Sequence, residues 1–358
     1  MTAGRARDPV PPAAPSPESL PDDPWPVAHP GFRPPGRFRL EPEDFRVTEI
    51  LPFEAEGEGN HFLLRVRKVG VNTDRVAKDL ARLAGCRPRD VGYAGLKDRY
   101  AVAVQHFTVP AEKVADDPRQ WAGPSWGVEA GDRVRKKLKR GALAGNAFRL
   151  RLHLAPAGRE AAAARFERVL SRGVPNYFGP QRFGREGGNL AGARRLFAGG
   201  AQPDRRLRGL YLSAARSYLF NRVLATRIGE GSWGRLLEGE YAVFPDVNSG
   251  FVVTDPAAET QRLDAGDLHP SGPLPGVDGP GPRGEAAKLE DRILAAEPGL
   301  LEGLRVAEVK GHRRALRVVP RDGSVESDAG GLWVGFLLPA GSFATAVVRE
   351  VISVGSPG

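Results

Sequence analysis

The sequence predicts an α+β fold of about two domains, and three observations carry that expectation. Segments with period-two alternation interleave with segments of helical period. The stretches between candidate strands are too uneven in length for a regular parallel wind. The chain has 358 residues, roughly twice a typical domain. No internal repeat runs through it.

Taken in order, residues 1–36 are expected to be a disordered tail. Eleven prolines lie between Pro9 and Pro35, with few apolar side chains to offset the ordering entropy. Order is expected near Phe38. Phe45 and Val47 alternate within Phe38–Ile50, and a strand over His61–Val69 sets Leu64 and Val66 against Arg65 and Arg67. Asn72-Thr73-Asp74 opens a helix with Val76, Leu80 and Leu83 on one face, stopping at Gly85. A strand near Val91–Ala94, a polar turn over Gly95–Arg99 and an alternating strand Ala101–Val109 come next. Phe148–His153 is a strand leading into the Ala-rich helix Arg159–Ser171, closed by Arg172-Gly173. Ser213 reads as the N-cap of a helix to Ile228 with Ala215, Leu219 and Val223 inward. Gly266–Gly284 is rich in Gly and Pro and reads as a long surface loop. A helix near Glu285–Ala296, strands near Ala315–Val319 and Leu332–Leu338, and a tail helix from Phe343 complete the chain.

Composition narrows the function. Lys plus Arg total 52 against 43 Asp plus Glu, a net charge of +9 that favours a polyanionic partner. A single cysteine, Cys86, excludes an internal disulfide framework and a thiolate metal site. The six histidines lack metal-ligand spacing, so no metal is expected. No apolar run reaches the roughly 18 residues that span a bilayer, and the N-terminus does not read as a signal peptide, so a cytoplasmic setting is expected.

Four constellations bear on chemistry. In Gly92–Ala101, small residues permit a sharp turn, and Asp98 lies between Lys97 and Arg99, whose charge favours an ionised nucleophile or base. Read alone, the same residues also fit a solvated hairpin tip. Arg133–Arg151 holds eight basic residues and no acid, an electrostatic footprint for a phosphate backbone in which Arg135, Lys136, Lys137, Lys139 and Arg140 are the candidate contacts. Val174–Asn189 interleaves aromatics with amides and guanidiniums, a combination suited to an unpaired base. There is neither a Walker A lysine nor a GxGxxG pattern, so a nucleotide cofactor is not expected. Leu338–Glu350 starts a helix with Ser342 as a possible cap and brings Phe343 to its N-terminus.

The segments AGLKDRYAVAVQ, VPNYFGPQRFG, LSAARSYLFN and LPAGSFATAVVRE together resemble the TruD family of tRNA pseudouridine synthases. Weaker matches are EPEDFRVTEI, HFLLRVRKVGVNTDRVAKDLAR, KLKRGALAGNAFRL and HPSGPLPG, and the similarity spans roughly residues 37–352 in order. The resemblance implies a monomeric enzyme that isomerises a uridine of tRNA, typically U13, without cofactor or metal. It implies Asp98 as the catalytic aspartate, Arg39 as its basic partner, and Phe45, Asn176, Phe178 and Phe343 around the target nucleotide. The implied fold is a pseudouridine-synthase catalytic domain, a mixed or antiparallel sheet flanked by helices, with an inserted α+β TRUD domain. Its segments would be 37–202 and 319–358 for the catalytic domain and 203–318 for the insert. Asp98 is expected buried and ionised. Chemistry leaves open whether it attacks C6 of the base or C1′ of the sugar. A non-catalytic RNA-binding or RNA-folding protein on the same scaffold is the alternative.

Overall fold

The computed structural model describes residues 25–114, 116–245, 247 and 249–354. The chain lays down β1 (Pro35–Phe38), turns through Arg39 and a short 3-10 segment (Pro42–Asp44), and continues into β2 (Phe45–Ile50). Next come β3 (His61–Val69), α1 (Thr73–Leu83), β4 (Gly92–Tyr93), β5 (Val102–Pro110), β6 (Ala122–Gly123), β7 (Trp126–Val134) and β8 (Gly145–Leu154). α2 (Pro156–Arg172) and β9 (Val174–Pro175) lead into α3 (Gly188–Phe197) and the long α4 (Arg205–Gly229). A second layered region follows, with β10 (Tyr241–Val243), β11 (Gly250–Val252), α5 (Thr260–Ala265), β12 (His269–Leu274), α6 (Gly284–Leu294), α7 (Pro298–Val306) and β13 (His312–Ala315). β14 (Arg317–Val318), β15 (Arg321–Asp328), β16 (Gly331–Pro339), α8 (Ala344–Val351) and β17 (Ser353–Val354) return the chain to the first region.

The architecture is α+β. The main sheet runs β15-β16-β8-β2-β5-β3-β7-β6, with β1 and β17 paired at one margin and β4 beside β5. It is mixed: β2 and β5 are parallel, as are β1 and β17, and the other pairs are antiparallel. A four-stranded sheet β11-β10-β12-β13 lies in the second region.

Register explains where the core forms. Lys68, Ala103, Val47, Phe148 and Phe336 are partners across five adjacent strands and face the same side. On that side α1 buries Val76 and Leu80 against Leu64, Val66 and Phe107. Further along, α2 and α8 bury Phe166, Val347 and Val348 with Phe45, Leu150 and Phe336. α2 ends at Gly173, whose φ of +78° suits glycine and whose added Cβ would lie 2.6 Å from the Val318 carbonyl.

Several expectations change. Residues 1–24 of the predicted tail lie outside the described residues, but 25–36 are tied down: Ala28 and His29 donate backbone N–H groups to Glu350, and Trp25 stacks on Tyr177 at 5.8 Å. The Phe38–Ile50 strand is split by Arg39, whose left-handed φ of 59° ends β1. Asp204 rather than Ser213 caps α4, its carboxylate accepting the Leu207 N–H at 2.8 Å. Most notably, Gly266–Gly284 is no surface loop throughout. His269–Leu274 is a buried strand between β10 and β13, where Gly272 leaves room for Phe220 and the Pro270 carbonyl accepts the Leu316 N–H. Proline withholds only the donor, so a strand bonded through its carbonyls tolerates it.

Candidate active site

The Gly95–Tyr100 loop carries Asp98, and buried polar groups from three strands and a helix hold it. Lys68, fully enclosed on β3, donates to the carbonyls of Val71 at 3.0 Å, Lys97 at 3.4 Å and Asp98 at 2.9 Å. Gln105 donates to the Gly95 carbonyl at 2.6 Å and accepts from Thr73, whose Oγ1 also takes the Lys97 N–H. Tyr100 donates to the Leu40 carbonyl at 2.8 Å, tying this loop to the one bearing Arg39. A mobile loop would spend catalytic energy on ordering, and this one is ordered in advance.

The cations beside Asp98 in sequence are not its partners in space. Lys97 turns inward to the buried Glu49 at 2.8 Å, and Arg99 donates to the Gly70 carbonyl. Burial works to raise the Glu49 carboxyl, but bonds from His106 and Lys97 prevail and hold it below the usual carboxylate value. The ion-pair partner of Asp98 is Arg39, whose guanidinium lies 3.9 Å over the Phe45 ring. The Asp98 side chain is 46% exposed, so the expected burial is not found; the carboxylate is paired on one side and open on the other. Lys68 feels that charge from beneath. Burial pulls the ammonium down to about 8, against the opposing pull of Asp98.

The remaining candidates gather around Arg314 on β13. Asn176, buried, donates Nδ2 to the Ala315 carbonyl at 2.9 Å and accepts from Arg314. The Arg314 guanidinium lies 4.2 Å over Phe178 and donates to the Gly341 carbonyl at 3.1 Å, two residues before Phe343. Burial, helped by Arg182, brings Arg314 down to about 9. Phe178 is itself buried, edge-on to Phe220, with its backbone locked to Asn221 by two 2.9 Å bonds. Phe343 is 36% exposed at the start of α8 and lines an open cleft with Tyr177, Gly179 and Arg349. Phe343 itself stands at the N-cap position of α8 and no side chain caps the helix, so the expected Ser342 cap is not formed.

The two groups are Asp98, Arg39 and Phe45 on one side and Asn176, Phe178, Arg314 and Phe343 on the other. What links them is the core beneath: Phe45 packs on Phe148 and Phe148 on Phe336, in the same cluster that buries α8, at whose start Phe343 stands. Among the described residues, no His, Cys, Asp and Glu gather in metal-binding geometry. Lys68 and Arg314 escaped the sequence reading. For Lys68 a signal existed: it shares strand parity with the inward Leu64 and Val66.

The basic run divides differently from its appearance in sequence. Arg135 pairs with Glu58, Arg149 with Glu326 and Arg151 with Asp328, acids brought in from elsewhere. Lys137 donates to the Arg89 carbonyl and Arg140 to the Tyr93 hydroxyl. Lys136 and Lys139 stay exposed without an acid partner among the described residues. Three of the eight basic residues of the run are thus matched by acids from elsewhere in the chain.

A family model described as tRNA pseudouridine synthase D (TruD) matches residues 30–191 and 200–351. The chain belongs to the TruD family. It is 48% identical over 343 residues to tRNA pseudouridine synthase D of Methylococcus capsulatus, covering 94% of this chain and 96% of that one. It is 44% identical over 317 residues to the protein of that name from Stutzerimonas stutzeri, covering 87% and 91%. A solved structure described as TruD from Methanosarcina mazei superimposes with a TM-score of 0.72 over 92% of this chain and 96% of that one, at 23% identity, which speaks for the fold. In this TruD-family chain no helix among the described residues is long and apolar enough to cross a membrane.

Proposed function

We propose that this chain isomerises a uridine of tRNA, U13, to pseudouridine with Asp98 as the nucleophile. The observation that carries the reading is the Asp98 carboxylate, paired with Arg39 beside the Phe45 ring yet open to solvent on its other side. A carboxylate so placed can attack an incoming nucleoside and later depart. The N1–C1′ bond breaks, the uracil turns, and C5 bonds to C1′ while the C5 proton leaves and N1 gains one. Attack at C6 and attack at C1′ both satisfy this balance. Arg39 holds the carboxylate in place through the ion pair. Phe45 backs Arg39, and the exposed Phe343 is the ring best placed to meet a base. Asn176 and Phe178 act through Arg314, which they hold in place. The target nucleotide must first leave the RNA stack, at a cost of a few kcal/mol.

Lys136 and Lys139 contribute to the RNA footprint, with Arg135, Lys137 and Arg140 weaker because of their protein partners. Residues 203–318 act as the insert between catalytic segments 37–202 and 319–358, a division supported by the four-stranded sheet within 241–315 and by the chain's return to the main sheet at Arg321. The test is Asp98→Asn. Pseudouridine formation in a tRNA transcript is expected to vanish while binding persists; full activity in the variant removes Asp98 from the centre of the reaction. The same assay on the unaltered chain separates this reading from a non-catalytic RNA-binding protein, which would form no pseudouridine at all.

A further inference from the structure

A second concentration of positive charge without acid partners lies away from the 133–151 run. Arg205, Arg206 and Arg208 fall in the first turn of α4, and Arg195 in the last turn of α3, across the short connection 198–204. None has a carboxylate partner among the described residues, whereas Arg135, Arg149 and Arg151 are each matched. The neighbouring acid, Asp204, spends its side chain on capping the Leu207 N–H. Three guanidiniums also occupy the end of a 25-residue helix where the backbone dipole is already positive and acids are favoured. In the isolated protein this arrangement repels itself. A polyanion laid across it would relieve that repulsion.

The patch is also aimed. At 100° per residue, Arg206, Gly209, Ser213 and Arg216 share one face of α4, a stripe of about 15 Å. Ser213 accepts from Arg182 at 2.9 Å, and Arg182 in turn lies 5.1 Å over Phe178, on the ring that Arg314 covers. Gly209 keeps the middle of the stripe open, with no atom near the position of a Cβ. The stripe thus runs from the exposed arginines to the Phe178–Arg314 group of the site.

We infer that the Arg205–Arg208 turn, with Arg195, is a docking surface for the sugar-phosphate backbone of the RNA whose extruded nucleotide enters the site. This rests on the reading that the substrate is tRNA. Guanidiniums contacting phosphates release counterions, so binding through them depends steeply on salt.

The experiment compares the unaltered chain with Arg205→Gln/Arg206→Gln/Arg208→Gln, and with Lys136→Gln/Lys139→Gln as a second set that removes two charges from the 133–151 run. It measures the Kd of an unmodified tRNA transcript across a KCl series, alongside Tm. The triple variant is expected to raise Kd at least about tenfold and to lower the slope of log Kd against log salt by about 2, with Tm unchanged or higher. The double variant is expected to move Kd less. A triple variant within about twofold of the unaltered chain, with the same slope, overturns the docking surface while leaving pseudouridine formation by the unaltered chain intact. An unaltered chain that neither binds nor isomerises the transcript overturns the tRNA reading and this surface with it.

Discussion

The Lys68 ammonium donates to the backbone carbonyl of Asp98 at 2.9 Å from a fully buried position. Its other donors go to the carbonyls of Val71 and Lys97, so all three protons stitch the Asp98 loop to the turn after β3. Deprotonation, which burial brings down to about 8, removes one of these stitches. Lys68→Met is therefore expected to slow single-turnover pseudouridine formation at least about a hundredfold while changing the Kd for tRNA less than threefold. In the unaltered chain the rate should decline on the alkaline side near pH 8, and Lys68→Arg should push that decline upward. A rate within threefold in Lys68→Met, or a decline that Lys68→Arg does not move, would separate Lys68 from the positioning of Asp98.

Arg39 combines a functional side chain with a left-handed backbone, at φ 59°. A non-glycine residue there carries strain of about 1–2 kcal/mol. Arg39→Gly and Arg39→Ala both remove the guanidinium that pairs with Asp98, and both should lower pseudouridine formation at least tenfold. Only glycine relieves the backbone, so in urea unfolding Arg39→Gly should be the more stable by about 1 kcal/mol. Equal stability of the two variants would contradict the strain at this turn.

The strands that alternate cleanly were legible in the sequence, and so was the helix around Phe166. His61–Val69 is a strand at those bounds, and the expected Ala101–Val109, Phe148–His153 and Arg159–Ser171 fall within one to three residues of β5, β8 and α2. What escaped has physical reasons. β15 is exposed along its whole length, so its RDGSVESD sequence carries no apolar face to mark it. β12 is built from His, Pro, Ser and Gly because Phe220 needs space beside it, and those residue types ordinarily signal a turn. In the site, Asp98 and Phe343 could be singled out as residues. Arg39 was singled out only through the family resemblance, because 59 residues of chain separate it from Asp98, and Arg314 was missed because it reaches Phe343 through Gly341. Charge balance is likewise a property of the fold, as Glu58, Glu326 and Asp328 show in neutralising arginines far from them in sequence.

Arg227 and Glu240 form an ion pair at 2.6 Å with side chains 1% and 0% exposed, joining α4 to the turn before β10. Arg227 also donates from Nη2 to the carbonyls of Ser232 and Arg235, while its buried Nε has no acceptor. Removing one partner leaves a buried charge uncompensated, at a cost of about 3–5 kcal/mol. Glu240→Ala should lose that much in urea denaturation, and Arg227→Met/Glu240→Leu should recover a good part of it. A loss below about 1 kcal/mol in Glu240→Ala would show that the pair is not isolated from water.

His269 is buried at the start of β12, and its Nδ1 accepts from Arg317 Nε at 3.4 Å, which requires the neutral ring. Burial first, and the charges of Arg317 and Arg321 next, lower it from 6.5 to about 4. The folded value lies below the unfolded one, so between these limits the unfolded chain takes up a proton that the folded chain refuses. The stability that His269 contributes is complete above pH 6.5 and is lost as the pH falls towards 4. At pH 5 the linkage amounts to about 2 kcal/mol. Urea unfolding at pH 7.5 and pH 5 should therefore show the unaltered chain losing about 2 kcal/mol more than His269→Gln. An equal loss in both would assign the acid sensitivity to other groups.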